Sequence, residues 1–280
     1  MSAATTAAPT PARASHQPIP EPRLRFGGVL KSEWIKLTTL RSTIWAYVIL
    51  VVLQVAMGVL ISFTMPEATG VDATGVAVQS GASAAVFAAT LGVMFNQLVI
   101  SVLGVLVISG EYGTGQIRSS LTAVPRRLPV LWAKALVFAV TSFVVGLVAI
   151  VIAYAVTVPL LDARGYTSSL LDPEVWAHLV GAAGYLALIG LVAFFLGAVL
   201  RHTAGGIAAA VGLLLVVPTV LSFITAEWAT VLGQWLPGVV GQTLFFGGNV
   251  FEPWQAVLVM LGWIAVVATP AAILLSRRDA

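Results

Sequence analysis

The chain has no cysteine, which removes disulfides, thiolate nucleophiles and cysteine-based zinc or iron–sulfur sites. Its three histidines cannot replace them, because His178 and His202 are expected near opposite membrane faces and His16 lies in a tail. Charge is equally scarce. Asp, Glu, Lys and Arg make up 9% of 280 residues while 59% are apolar, and the charges fall between apolar runs longer than the roughly 17–25 residues that cross a bilayer. A soluble core does not look like this. The formal charge of +3 is therefore no nucleic-acid signal, since it arises from Lys and Arg held at one membrane face.

Six spans are expected at about 44–63, 83–108, 130–158, 176–200, 204–225 and 254–276, so the fold class is an all-α membrane protein. The bases orient it. Arg13, Arg23, Arg25, Lys31, Lys36 and Arg41 precede the first span; Arg118, Arg126, Arg127 and Lys134 lie between or beside the second and third. Arg201 follows the fourth, and Arg277 and Arg278 follow the sixth. All of these face the cytoplasm if both termini are inside, and only Arg164 of the fourteen bases falls outside. The outer loops instead carry Glu67, Asp72, Asp162, Asp172, Glu174, Glu227 and Glu252. The expected location is a membrane, with both termini on the cytoplasmic side.

Residues 1–22, with five prolines among Ala, Thr and Ser, hold too little apolar surface to repay ordering and read as a disordered cytoplasmic tail. They lack the apolar stretch of a cleaved signal peptide. Residues 23–280 read as one transmembrane domain. Between the fifth and sixth spans, Trp228 to Phe246 is apolar but broken by Gly233, Pro237, Gly238 and Gly241. A seventh span would carry Arg277 and Arg278 outside, so a re-entrant hairpin fits better than a crossing; a hydrophobic loop packed on the helices is the other possibility.

Two segments on the cytoplasmic side could carry work. From Phe26 to Leu40, the residues Phe26, Leu30, Trp34 and Leu37 form one stripe, while Lys31 and Lys36 can reach the polar layer, as in an interfacial helix. After the second span comes Glu111-Tyr112-Gly113-Thr114-Gly115-Gln116-Ile117-Arg118, followed by Leu121, Val124 and Pro125. Ile117, Leu121 and Val124 share a helical stripe, Arg118 can face water or a partner, and Pro125 stops the helix. So short a helix persists only if docked. It is either a lever joined to two spans or an amphipathic turn on the headgroups, with Arg126 and Arg127 on anionic lipid.

The run Lys31-Ser32-Glu33-Trp34-Ile35-Lys36-Leu37-Thr38-Thr39-Leu40-Arg41-Ser42, together with Glu111 through Arg127, resembles the membrane subunits of ABC transporters of the ABC-2 exporter type, especially small members from high-GC bacteria such as actinobacteria. The likeness covers about residues 24–278 and includes the six-span layout. It implies that Glu111 to Val124 seats in a cleft of a separate nucleotide-binding subunit and that the Phe26–Leu40 helix contributes to the same contact. It implies too that a second copy of the chain or a related permease completes the assembly. No stretch follows the phosphate-loop pattern, so ATP and Mg2+ are expected on the partner and no ATPase activity on this chain alone.

Within the membrane, Gln54, Asn96 and Gln97 can either hold helices together or line a path. Glu111 can pair with Arg118, with a neighbouring subunit or with water. Sparse intramembrane charge favours an amphipathic cargo over an ion path. An intramembrane enzyme is a weaker reading, because no activated nucleophile or paired acids with a histidine occur within the spans. A non-transporting anchor or sensor attached to an ATPase is the remaining alternative.

Overall fold

The computed structural model describes residues 26–67, 81–113, 127–248 and 250–277. Helix α1 (Phe26–Thr39) turns at Leu40 into α2 (Arg41–Thr64), the first span. The second span is built from α3 (Gly81–Thr90) and α4 (Val93–Gly113), the third is α5 (Arg127–Asp162) and the fourth is α6 (Pro173–Leu200). The fifth joins α7 (Thr203–Val211) through a π-helical turn (Gly212–Val216) to α8 (Val217–Ser222). Three short helices follow, α9 (Glu227–Gln234), α10 (Pro237–Val240) and α11 (Thr243–Phe246), before α12 (Pro253–Arg277) makes the sixth span. Six helices are thus long and apolar enough to cross a membrane, and the chain is a polytopic all-α membrane protein.

The spans alternate in direction, so α1, Glu111, Arg127, Arg201 and Arg277 gather at one end, called here the basic end. The opposite, acidic end carries Glu67, Asp162, Asp172, Glu174, Glu227 and Glu252. Arg164 stands there for a local reason. It donates to the carbonyls of Phe63 (2.9 Å) and Met65 at the end of the first span, where a helix has free carbonyls and a partial negative charge.

The fourth span is the centre of the bundle: 67% of its apolar stretch is buried inside the protein, against 17% for the first and fifth. Small residues let its neighbours approach. A Cβ on Gly104 would sit 2.6 Å from the Gly190 carbonyl, and one on Gly197 would meet Val105 at 3.1 Å. Without a hydrophobic drive between helices in lipid, such backbone proximity supplies the packing. Gly184 and Gly212 face open space instead, so the glycines of the fourth and fifth spans do not all serve contact. Gly212 opens the π turn, which is closed by the Val217 N–H on the Gly212 carbonyl and followed by Pro218; proline has no N–H to continue the ladder.

The second span is not the single helix its hydropathy suggests. It breaks at Leu91 and Gly92, and the break is repaired from the first span: Gln54 Nε2 donates to the Ala89 carbonyl at 2.6 Å. Asn96 Nδ2 then donates to Gln54 Oε1 (2.6 Å) and to the Leu50 carbonyl (3.0 Å). Gly92 makes room, since a Cβ there would lie 2.9 Å from Gln54. Gln54→Leu should therefore lower stability by about 1–2 kcal/mol, because a bilayer offers the freed carbonyl no water. Unfolding by a denaturing detergent would measure it, and unchanged stability would show that the break satisfies itself.

The apolar run after the fifth span is re-entrant. Tyr185, twelve residues and about 18 Å along the fourth span, points its hydroxyl at the Gly238 carbonyl (3.4 Å). From the other side, Trp263 Nε1, about 15 Å along the sixth span, donates to the Trp235 carbonyl at 2.8 Å. The loop therefore reaches the middle of the bundle. It does so through α10 and α11, whose broken backbone is tolerated because it is buried against protein, while α9 stays mostly exposed with Ala229 as its one buried residue.

Candidate functional site

Four ionisable side chains meet at the basic end. Lys134 Nζ, from the third span, donates to Glu33 Oε2 of α1 and to Glu111 Oε1 of the second span at 2.8 Å. Lys36 Nζ, one turn beyond Glu33 on α1, lies 2.8 Å from Glu33 Oε1 and 3.2 Å from Glu111 Oε1. Among the described residues, two carboxylates and two ammonium groups alternate and balance in charge. Glu33, Glu111 and Lys134 are buried, while Lys36 is partly exposed.

Each element brings its charge here by ordinary helical spacing. The third span is 36 residues long, about 54 Å and so well over the roughly 30 Å of a hydrocarbon core; Lys134, two turns from its start, stays near the interface. Glu111 stands two residues before the described end of the second span. On α1, Val29, Glu33 and Leu37 form the buried face. The apolar stripe expected there divides: Leu37 and Leu30 pack inward, whereas Phe26 and Trp34 are about half exposed. The buried face is centred on Glu33, which Lys134 engages from the third span.

Burial pushes the Glu33 carboxyl up, but the charges and hydrogen bonds of Lys134 and Lys36 outweigh it and hold it below its ordinary 4.5. For Lys36, burial pulls the ammonium down, yet Glu33 and Glu111 more than compensate and hold it above 10.5. Glu33 is thus more acidic in the folded state than in the unfolded chain. Its stabilisation is complete above about pH 4.5 and is lost as pH falls through the lowered folded value. Thermal unfolding in detergent from pH 7 to pH 3 should show a smaller fall for Glu33→Gln than for the wild type. Equal falls would place the acid sensitivity elsewhere.

A cavity of about 420 Å3 opens beside the cluster, walled by Leu106, Val107 and Val137 and bounded by Thr39 and Thr43. On the other flank, Arg201 lies 5.1 Å above the Tyr112 ring and donates through Nη2 to the Leu274 carbonyl at 2.9 Å. Its φ of 52° is the one left-handed non-glycine backbone among the described residues, at the turn between the fourth and fifth spans. Ser109 and Thr203 close the same seam at 3.0 Å. Adjacent residues therefore face opposite ways: Glu111 is tied to α1 and the third span, Tyr112 to the fourth-to-fifth turn and the sixth.

Of the residues singled out in the sequence, Glu111 and Lys36 come together, and Gln54 and Asn96 join the first two spans. Gln97 accepts from Tyr185 and donates to the Met94 carbonyl at 2.9 Å, joining the second span to the fourth. All three amides thus bridge helices. Lys31 is exposed. Thr114, Gly115, Gln116, Ile117, Arg118, Leu121 and Val124 lie outside the described residues, as do residues 1–25. In the sequence, Lys134 and Arg201 stand only as orienting charges and Glu33 has no assigned role. One signal was present: Lys134 is an ionisable residue inside an apolar run. His202 proves to be a cap, its Nδ1 accepting the Gly205 N–H at 3.1 Å. Among the described residues no group of three His, Cys, Asp or Glu could hold a metal ion. Compared with protein-family models and with curated protein sequences, the chain matches none.

Proposed function

We propose that the chain is the permease subunit of an ATP-driven exporter of the ABC-2 type, working with a separate phosphate-loop ATPase and a second permease copy or relative. The observation that carries this reading is the charged joint. Residues 114–126 connect the second and third spans, and Glu111 and Lys134, at their two roots, meet each other and α1 in one buried cluster. A push on the connection would reach three elements at once, and through Tyr112 and Arg201 it would reach the opposite flank. Resemblance to the ABC-2 exporters supplies the source of the push, ATP-driven closure of the partner. In this orientation the basic end is cytoplasmic in a bacterial plasma membrane, in keeping with the retention of Lys and Arg.

The cargo is an amphipathic molecule, because the described spans lack the run of ionisable sites expected of an ion relay. The chain itself is not an enzyme on this reading, and ATP and Mg2+ belong to the partner. Glu111→Ala and Arg118→Glu should each reduce substrate-stimulated ATPase activity or partner binding while insertion persists. Full coupling in both would contradict the lever. ATPase attachment without cargo flux would favour an anchor or sensor.

A further inference from the structure

The bend between α1 and the first span has a second hollow on its lipid side. It is a groove of about 470 Å3, floored by Tyr47 and lined by Trp34, Thr38, Ile44, Val48, Val52 and Val145 among others. Three of its hydroxyls are already engaged. Tyr47 Oη donates to Thr141 Oγ1 (3.0 Å), Thr141 donates to the Val137 carbonyl (2.9 Å) and Thr38 to the Trp34 carbonyl (2.9 Å). What the groove presents is hydrocarbon. From Thr43 to Val52 it runs nine residues, about 14 Å, close to one leaflet's half of the roughly 30 Å core.

Two cations share the helical faces that line it. Arg41 begins the helical stripe that continues through Ile44, Val48 and Val52, and Lys31 begins the stripe through Trp34 and Thr38. Both are exposed. Among the described residues no carboxylate lies within ion-pairing distance of either, because Glu33 is turned inward onto Lys134 and Lys36. An apolar slot one leaflet deep, headed by two cations, has the outline of a lipid with a negative headgroup.

We infer that this groove is a binding site for an anionic phospholipid, with one acyl chain lying along the first span and the phosphate held between Lys31 and Arg41. The inference rests on the groove and its cations, independently of any ATPase partner. A lipid seated there would brace α1 from the side opposite the charged joint.

The test uses the full-length protein in nanodiscs containing equal amounts of phosphatidylglycerol and phosphatidylcholine of matched chains. After transfer to mild detergent, the retained lipid is identified by native mass spectrometry. The expected result is about one tightly held phosphatidylglycerol per chain. At least a tenfold weaker retention is expected for Val48→Trp, which fills the slot, and for Lys31→Gln with Arg41→Gln, which removes the charges. Both sites are exposed, and thermal unfolding of each variant verifies that it is folded. Equal retention of both lipids would overturn the inference, as would retention that Val48→Trp leaves unchanged. A bound non-phospholipid amphiphile displacing phosphatidylglycerol from the wild type would overturn it in favour of a cargo site.

Discussion

Replacing Lys134 by methionine is expected to cost about 3–5 kcal/mol of stability, the usual consequence of removing one member of a buried ion pair. Lys134 alone contacts both carboxylates from the buried side. Without it Glu33 and Glu111 share only Lys36, which approaches from the partly exposed edge. Unfolding by a denaturing detergent, followed by circular dichroism, measures the loss. A triple variant, Lys134→Met with Glu33→Gln and Glu111→Gln, should recover most of it. Taking every buried charge out of the cluster removes the desolvation cost together with the attraction. If the proposed function holds, that variant is stable but uncoupled, with the partner's ATPase no longer answering to substrate. Stability retained in the single variant would mean that the carboxylates reach water, and the joint would lose its rigidity.

The second large effect concerns the re-entrant helices. Gly181→Ala should dislodge them, because a Cβ at that position would overlap the Leu244 carbonyl, and a backbone atom cannot move aside as a side-chain tip can. The expected penalty is about 3 kcal/mol, at the upper end for overpacking. Gly184 provides the control. It stands one turn further along the fourth span with nothing within 4 Å of an added Cβ, so Gly184→Ala should be tolerated. The chain has no cysteine of its own, so a single Val240→Cys reports directly. Val240 is buried against the bundle; a thiol there should stay unreactive beside Gly184→Ala and become reactive beside Gly181→Ala. Equal protection in both would show that the fourth span and α11 can separate without releasing α10.

The six spans were legible in the sequence because a long apolar run is a local property, and their boundaries in the structure differ by a few residues from those expected. The re-entrant region was legible for a similar reason, since Gly233, Pro237, Gly238 and Gly241 crowd into one short apolar run and a seventh crossing would reverse the side of Arg277 and Arg278. What the sequence concealed depends on partners far apart along the chain. The break at Leu91 and Gly92 looks apolar throughout, and only Gln54, 35 residues earlier than Ala89, makes it affordable in lipid. The charged joint is hidden in the same way: Glu33 and Lys134 are 101 residues apart. Glu111 stands out in the sequence by its position, with Arg118, water and a neighbouring subunit as candidate partners, whereas Lys36 and Lys134 are the ones it meets. Arg164, a base at the acidic end, breaks the charge pattern in sequence, and its two carbonyl acceptors, remote along the chain, account for it.

The proposed coupling is tested most directly by identifying the proteins that co-purify, in mild detergent, with an affinity-tagged copy of the chain from native membranes. The account predicts a stoichiometric phosphate-loop ATPase that is lost when the Glu111 to Val124 segment is disrupted. A stable, well-folded membrane protein that purifies without such a partner would contradict it.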